Sequence, residues 1–200
     1  MATILTEHAK PQRRRATYQD VLDAPEGMIA EIIAGELHLQ PRPAPRHSEA
    51  AVGLLGALDG PFRRGIGGPG GWIILFEPEV HVDGDCLVPD LAGWRIERMP
   101  SVPDSAYIDM APDWVCEILS PSTRAKDVGP KREAYARIGV GHLWHVDPPA
   151  LTLETLELRE DSWIVGSTFR NAEPVRAAPF ADVAFSVEAL WPGRASDLSS

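Results

Sequence analysis

Cysteine is almost absent. Cys86 and Cys116 are the only two in 200 residues, too few for a disulfide-built scaffold. Long apolar runs are missing too. No stretch approaches the ~20 apolar residues of a membrane-spanning helix, and no signal-peptide pattern opens the chain. The expected setting is therefore cytoplasmic, away from membranes, with both thiols reduced. Positive charge is scarce: 19 Lys and Arg stand against 29 Asp and Glu, a net charge of −10. That balance argues against a surface that coats nucleic acid non-specifically. It leaves a nuclease open, because acids gathered at a metal site count toward the deficit until the ion binds. The glycine-rich segment 60–71, with Arg63 and Arg64, lacks the Lys-Ser/Thr ending of a phosphate-cradling loop and reads as a flexible turn. His142 and His145 would face opposite ways on a strand, so they cannot share a zinc ion. There are no internal repeats.

What remains is ordinary globular composition, 44% hydrophobic and 24% charged, in a length that suits one domain. Residues 1–16 read as a flexible basic N-terminal tail carrying Lys10, Arg13, Arg14 and Arg15. Residues 17–192 form the expected domain, and 193–200 a polar C-terminal tail. Thr17 starts a short helix. Met28 to Ile33 and Glu36 to Gln40 make a hairpin around Ala34-Gly35. An extended Pro41–Pro45 connector leads to a helix opened by His47 or Ser48, with Ala51, Leu54, Leu55 and Leu58 at helical spacing. Trp72 to Val82 reads as one long strand and Cys86 to Trp94 as another, joined by the Asp83-Gly84-Asp85 turn. Residues 94–110 form an irregular excursion. After the central segment, His142 to Val146, Leu151 to Leu158 and Ser162 to Phe169 give three more strands, the last two an antiparallel pair. Val187, Leu190 and Trp191 anchor the closing segment.

The chemistry is concentrated between Ala111 and Tyr135. Trp114 to Leu119 is an apolar strand interrupted by Glu117, which shares a face with Val115 and Leu119. A buried carboxylate of this kind is costly unless a cation or donor meets it. After the Ser120–Thr123 turn, Pro130 suits a first helical position, and a helix over Lys131–Ile138 ends at Gly139. Asp90 interrupts the Cys86–Trp94 run in the same manner. Either acid alone could simply end a strand or cap a turn. Together, on neighbouring strands and with Lys131 close by, they can hold a hard divalent cation. A disulfide between Cys86 and Cys116 would conflict with that pairing. Trp94, Trp114 and Trp144 read as core.

Pro89-Asp90, the run Ala111-Pro-Asp-Trp-Val-Cys-Glu117-Ile-Leu-Ser-Pro-Ser-Thr123, Asp127, Lys131, Tyr135, Gly139-Val140 and Trp144-His-Val-Asp-Pro148 carry a resemblance. From about Tyr18 to about Leu190 the chain resembles the bacterial Uma family of restriction-endonuclease-like proteins, placed in the PD-(D/E)xK nuclease superfamily. The resemblance implies an α/β (α+β) fold, a restriction-endonuclease-like mixed β-sheet flanked by helices, to which the last two strands add an antiparallel C-terminal hairpin. It also implies a Mg²⁺-dependent (or Mn²⁺-dependent) endonuclease acting on nucleic acid, with DNA the expected partner and a homodimer left open. Asp90 matches the first acid and Glu117 the second. Glu31 matches a family acid that extends the metal site or orients the lysine; an acid paired to an arginine is its plainer reading. His47 matches a family position just ahead of a helix, where the connector could set it beside the cleft to contact substrate; a capping or surface histidine is its plainer reading. The chain departs from the pattern at Leu119, where the superfamily has lysine, and Lys131 is the substitute it offers. Asp127 or Glu133 could instead hold Lys131 as a surface pair, in which case removing its charge should leave folding nearly intact. Under the nuclease reading, the dipole of a helix starting near Pro130 aids the site, and Ser122, Thr123, Arg124 and Lys126 contact phosphates. A degenerate nuclease fold used for nucleic-acid or protein binding is the alternative, prompted by Leu119 and the acidic charge.

Overall fold

The computed structural model describes residues 14–191. The expected C-terminal tail and most of the N-terminal tail lie outside this range. Residues 14–16 do not fit a loose tail: Arg14 pairs with Asp20 at 2.6 Å, and the Ala16 N–H donates to the Gly35 carbonyl. Helix α1 (Tyr18–Leu22) starts at Thr17, whose N–H donates to the Asp20 carboxylate at 2.7 Å. Strands β1 (Met28–Ile33) and β2 (Glu36–Pro41) form the expected hairpin. Ala34 and Gly35 both have positive φ, the turn handedness that matches strand twist. Helix α2 (Pro45–Leu58) opens two residues earlier than expected, because Pro45 lacks an N–H and suits the first helical position.

The two long strands of the sequence reading are each broken. Trp72–Phe76 (β3) and Val80–Val82 (β4) are separate, as are Asp85–Leu87 (β5) and Leu91–Arg95 (β6). Each break contains a proline, Pro78 and Pro89, which cannot donate to a ladder. At both breaks the chain passes between two sheets. The smaller has the order β2–β1–β5–β4. The larger, completed by β7 (Trp114–Ile118), β8 (His142–Asp147), β9 (Thr152–Arg159) and β10 (Ser162–Arg170), has the order β10–β9–β8–β7–β6–β3. The Glu77 N–H donates to the Asp90 carbonyl at 3.0 Å and ties one crossing to the other.

Only β7 and β8 pair in parallel within the larger sheet, and parallel neighbours need a crossover. The crossover holds α3 (Arg124–Lys126), a π-helical turn (Asp127–Lys131) and α4 (Arg132–Arg137), bent at Gly129. Gly129 is non-helical (φ −112°, ψ −109°), so the crossover is two helices meeting at a kink, and the second starts at Pro130 as expected.

Alternation along β7 sorts its side chains as expected. Trp114, Cys116 and Ile118 join a core with α2, Trp144, Phe180 and Leu190. Val115 lies in the opposite core with Ala92, Leu143, Tyr135 and Leu87. Trp94, Trp114 and Trp144 are fully buried, and both cysteines are free and buried. A last ladder of β11 (Pro174–Val175) and β12 (Phe185–Ser186) leads into a 3₁₀ turn, Val187–Leu190, which packs against α2. At Gly53 of α2 the approach is so close that a Cβ would sit 2.7 Å from the Ala189 carbonyl oxygen.

Candidate active site

Glu117 projects from β7 into the space between the larger sheet, the smaller sheet and the crossover, and it is 2% exposed. Leu91 pairs with Cys116, so Asp90, the residue just ahead of β6, lies beside Glu117. Asp90 Oδ2 accepts the Ile118 N–H at 2.6 Å and contacts His47 Nε2 at 3.1 Å. Two acids, read from two interrupted apolar runs, thus meet at adjacent strand ends.

Lys131 reaches them from the crossover and is 1% exposed. Its Nζ lies 2.9 Å from Glu117 Oε1 and 2.8 Å from Glu31 Oε1, and it donates to the Val88 carbonyl at 2.8 Å. The surface pairing with Asp127 or Glu133 does not occur, so the expectation that its charge is dispensable for folding falls. Leu119, where the resemblance implies a lysine, is buried, and its N–H donates to the Val146 carbonyl.

Glu31 lies on β1 and is fully buried. Its Oε1 also takes the Val88 N–H at 2.8 Å, and its Oε2 takes Lys126 Nζ. Both oxygens are engaged, which fits the lysine-orienting role. The chain has three lysines, Lys10, Lys126 and Lys131, and two of them converge on this carboxylate.

The remaining expected contacts separate. Lys126 is tied to Glu31 and Gln40, and Arg124 to Asp147. Lys126 is largely buried in that pairing, whereas the Arg124 side chain stays 55% exposed. Ser122 and Thr123 share the Ser120 hydroxyl at 3.0 Å each, with Ser122 exposed at the turn. His47 lies at the site through Asp90, and its buried Nδ1 has no hydrogen-bond partner among the described residues.

Three residues join the cluster that the sequence did not assign. Tyr135 donates its hydroxyl to Glu117 Oε1. Asp127 is buried beside Lys131 and Lys126. Glu77, at the first crossing, feels Asp90, His47 and Lys131. An acid before a proline at the end of Trp72–Phe76 was the available signal for Glu77.

The electrostatics follow from burial and crowding. Burial pushes the Glu117 carboxyl well above the ordinary range; Lys131 opposes this, while Asp90, Asp127 and Glu31 add to it. Asp127 and Glu77 are also raised, chiefly by burial, with Asp90 repelling both. Burial works against charge on Glu31, but Lys131 and Lys126 outweigh it and hold its pKa below the usual value. Burial likewise opposes the Lys131 ammonium, yet Glu117, Glu31, Asp127 and Asp90 hold its pKa above the normal lysine range. His47 is raised because its bond to Asp90 and the nearby acids exceed the cost of burial. The clustered acids therefore include carboxyls that titrate high, as their proximity demands.

Among the described residues, no hydrogen-bond donor meets Asp90 Oδ1 or Glu117 Oε2. Two adjacent carboxylates with open oxygens suit Mg²⁺, which keeps several of its waters and needs few protein ligands. No third His, Cys, Asp or Glu ligand atom of the described residues gathers with them as closely as 4.8 Å. The donor set thus fits a hard, hydrated ion and offers little to a softer one.

Comparison with known proteins agrees with this architecture. Residues 15–188 match the family Uma2, described as "Putative restriction endonuclease". No curated protein is significantly similar to the chain. Among solved structures, a protein from Anabaena variabilis, described as "a putative nuclease belonging to DUF820", shares the fold. The TM-score is 0.71 at 21% identity, covering 88% of this chain and 98% of that one.

Proposed function

The chain belongs to the Uma2 family, and from that premise we propose that it is a divalent-metal-dependent endonuclease that hydrolyses phosphodiester bonds in nucleic acid, DNA in the first instance. The observation that carries this reading is the Lys131 ammonium 2.9 Å from Glu117. It delivers from the crossover the charge that Leu119 cannot supply from the strand. Asp90 and Glu117 would hold Mg²⁺ or Mn²⁺, which when bound lowers the pKa of water and polarises a phosphoryl oxygen.

The rest is done by the chain's own groups. Lys131 neutralises charge that develops on the phosphoryl oxygens. Glu31 and the Val88 carbonyl fix the lysine, and Lys126 balances Glu31. Tyr135 holds Glu117, while His47 and the Ile118 N–H orient Asp90. The exposed Ser122 hydroxyl and the half-exposed Arg124 guanidinium, with Thr123 between them, would contact the phosphate backbone. All of these come from one chain, so a homodimer would supply a second cut without completing the site. The free buried thiols fit the cytoplasmic reading.

The test is cleavage of supercoiled plasmid, and separately of RNA, with Mg²⁺, Mn²⁺ or EDTA. Metal-dependent nicking that is lost in Asp90→Asn and Glu117→Gln is expected. A folded wild-type protein that binds nucleic acid without cutting it under any metal would establish the binding-module alternative instead.

A further inference from the structure

A second group of ligand atoms lies away from the acidic site, on the smaller sheet. In the β4–β5 hairpin, His81 and Cys86 are directly paired residues, so their side chains leave the same face. Glu79 is two residues before His81 and returns to that face. One carboxylate oxygen, one imidazole nitrogen and the Cys86 sulfur all lie within 4.8 Å of one another. From this geometry we infer that Glu79, His81 and Cys86 form a binding site for a zinc-like divalent cation, with its fourth position open to solvent.

The ligand chemistry selects that class. Thiolate, imidazole and carboxylate together are a zinc set, and three protein ligands with one open position are a known arrangement. Mg²⁺ prefers oxygen ligands alone. His81 and Glu79 need little rearrangement. His81 Nε2 and Glu79 Oε1 are 2.8 Å apart as a hydrogen-bonded pair. Two tetrahedral ligands at zinc distances stand about 3.3 Å apart, so an ion replacing the shared proton moves them by roughly half an ångström.

The surroundings hold the ligands in place, as groups packed and hydrogen-bonded behind metal ligands do. Tyr107 stacks on the His81 ring at 3.9 Å and 3°, and Tyr18 meets its edge at 4.6 Å. The Tyr18 hydroxyl hydrogen-bonds to Glu79. Access exists as well: a surface cavity of about 300 Å³ is lined by Tyr18, His81, Asp83 and Cys86. An ion here would clamp β5 to β4 just ahead of Val88, the residue that hydrogen-bonds both Lys131 and Glu31.

Cobalt is the probe, because a Co²⁺–thiolate bond absorbs in the near ultraviolet whereas oxygen-bound Co²⁺ does not. EDTA-stripped full-length protein is titrated with Co²⁺. One equivalent should produce the charge-transfer band in wild type and in Asp90→Asn, so that the acidic site is not its source. Zn²⁺ should bleach the band and raise the melting midpoint by about 5–10 °C at a hundredfold excess over Kd. Cys86→Ser should lose the band, and His81→Ala should weaken binding at least tenfold while circular dichroism shows both folded. If Cys86→Ser does not fold, His81→Ala, whose ring is partly exposed, decides alone. Absence of the band in folded wild type overturns the inference, as does its survival in Cys86→Ser, which would move the ligand to Cys116. Neither outcome depends on whether the protein cuts nucleic acid.

Discussion

Replacing Lys131 with methionine removes one charge from the most crowded part of the molecule while nearly keeping its volume. The side chain is 1% exposed, and its ammonium sits 2.8 Å from Glu31 and 2.9 Å from Glu117. Breaking a buried pair by deleting one partner costs about 3–5 kcal/mol, mostly through the charge left behind. Two features place this case at the lower end. Glu31 keeps Lys126 and the Val88 N–H, and Glu117, whose carboxyl is pushed up by burial, can take up a proton once the lysine is gone. A loss of about 3 kcal/mol is therefore expected from a total of about 5–15, lowering the melting midpoint by about 6–12 °C. Urea unfolding of wild type and Lys131→Met gives the difference, and Lys131→Met/Glu117→Gln should recover part of it by removing the stranded acid. Cleavage by the folded single variant should fall about 10²–10³-fold. A stability loss under about 1 kcal/mol, the range of a surface pair, would refute the buried lysine. Unchanged cleavage would remove it from the chemistry.

Acid should weaken the fold through His145, whose pKa is pushed down to about 4 by burial and then by Arg132 and Arg124. The ring is neutral when folded but protonates near 6.5 when unfolded, so its contribution is full above 6.5 and shrinks as pH falls to about 4. The expected loss is about 3 kcal/mol; the raised acids act in the opposite direction, so the quantity to measure is wild type minus His145→Gln across that window, and a flat difference would be the contrary result. Helix α2 offers a paired test with opposite signs. Gly53→Ala places a Cβ 2.7 Å from the Ala189 carbonyl oxygen and the Leu190 Cα and should destabilise by about 1–3 kcal/mol, whereas Gly56→Ala, exposed with nothing within 4 Å, should stabilise by about 0.5–1 kcal/mol. Chemical denaturation distinguishes these signs, and equal effects would mean that the approach at Gly53 is looser than described.

Local chemistry made several features legible in advance. Alternation alone put Glu117 and Val115 on one face of β7, and the Ala34-Gly35 pair announced its hairpin. Two interrupted apolar runs were enough to bring Asp90 beside Glu117. The breaks at Glu77-Pro78 and Val88-Pro89 were visible as prolines, but which sheet each half joins is decided by packing far along the chain. The burial of Lys131 was hidden for a related reason. A lysine in a polar, Pro-Gly-marked segment belongs by habit on the surface, and only the tertiary fold brings β1 to it. The same distance obscured Glu31: its partner Lys126 is 95 residues away, so no local pattern distinguishes an acid that anchors lysines from one that binds an ion.

The two crossings between the sheets separate the site into parts with different mechanical supports. Asp90 and Glu117 ride on the larger sheet, joined strand to strand, and would keep their spacing if the smaller sheet shifted. Glu31 and Val88 ride on the smaller sheet, and Lys131 is fastened to both through the crossover. A small slide of one sheet against the other would therefore detune the lysine while sparing the acid pair. Under the proposed nuclease reading, capture of an ion and turnover would in this sense be geared separately, with Glu77 N–H to Asp90 O as the pin between the two sheets. Perturbations far out on β2 or β4 would then be felt as slower chemistry with undiminished metal affinity.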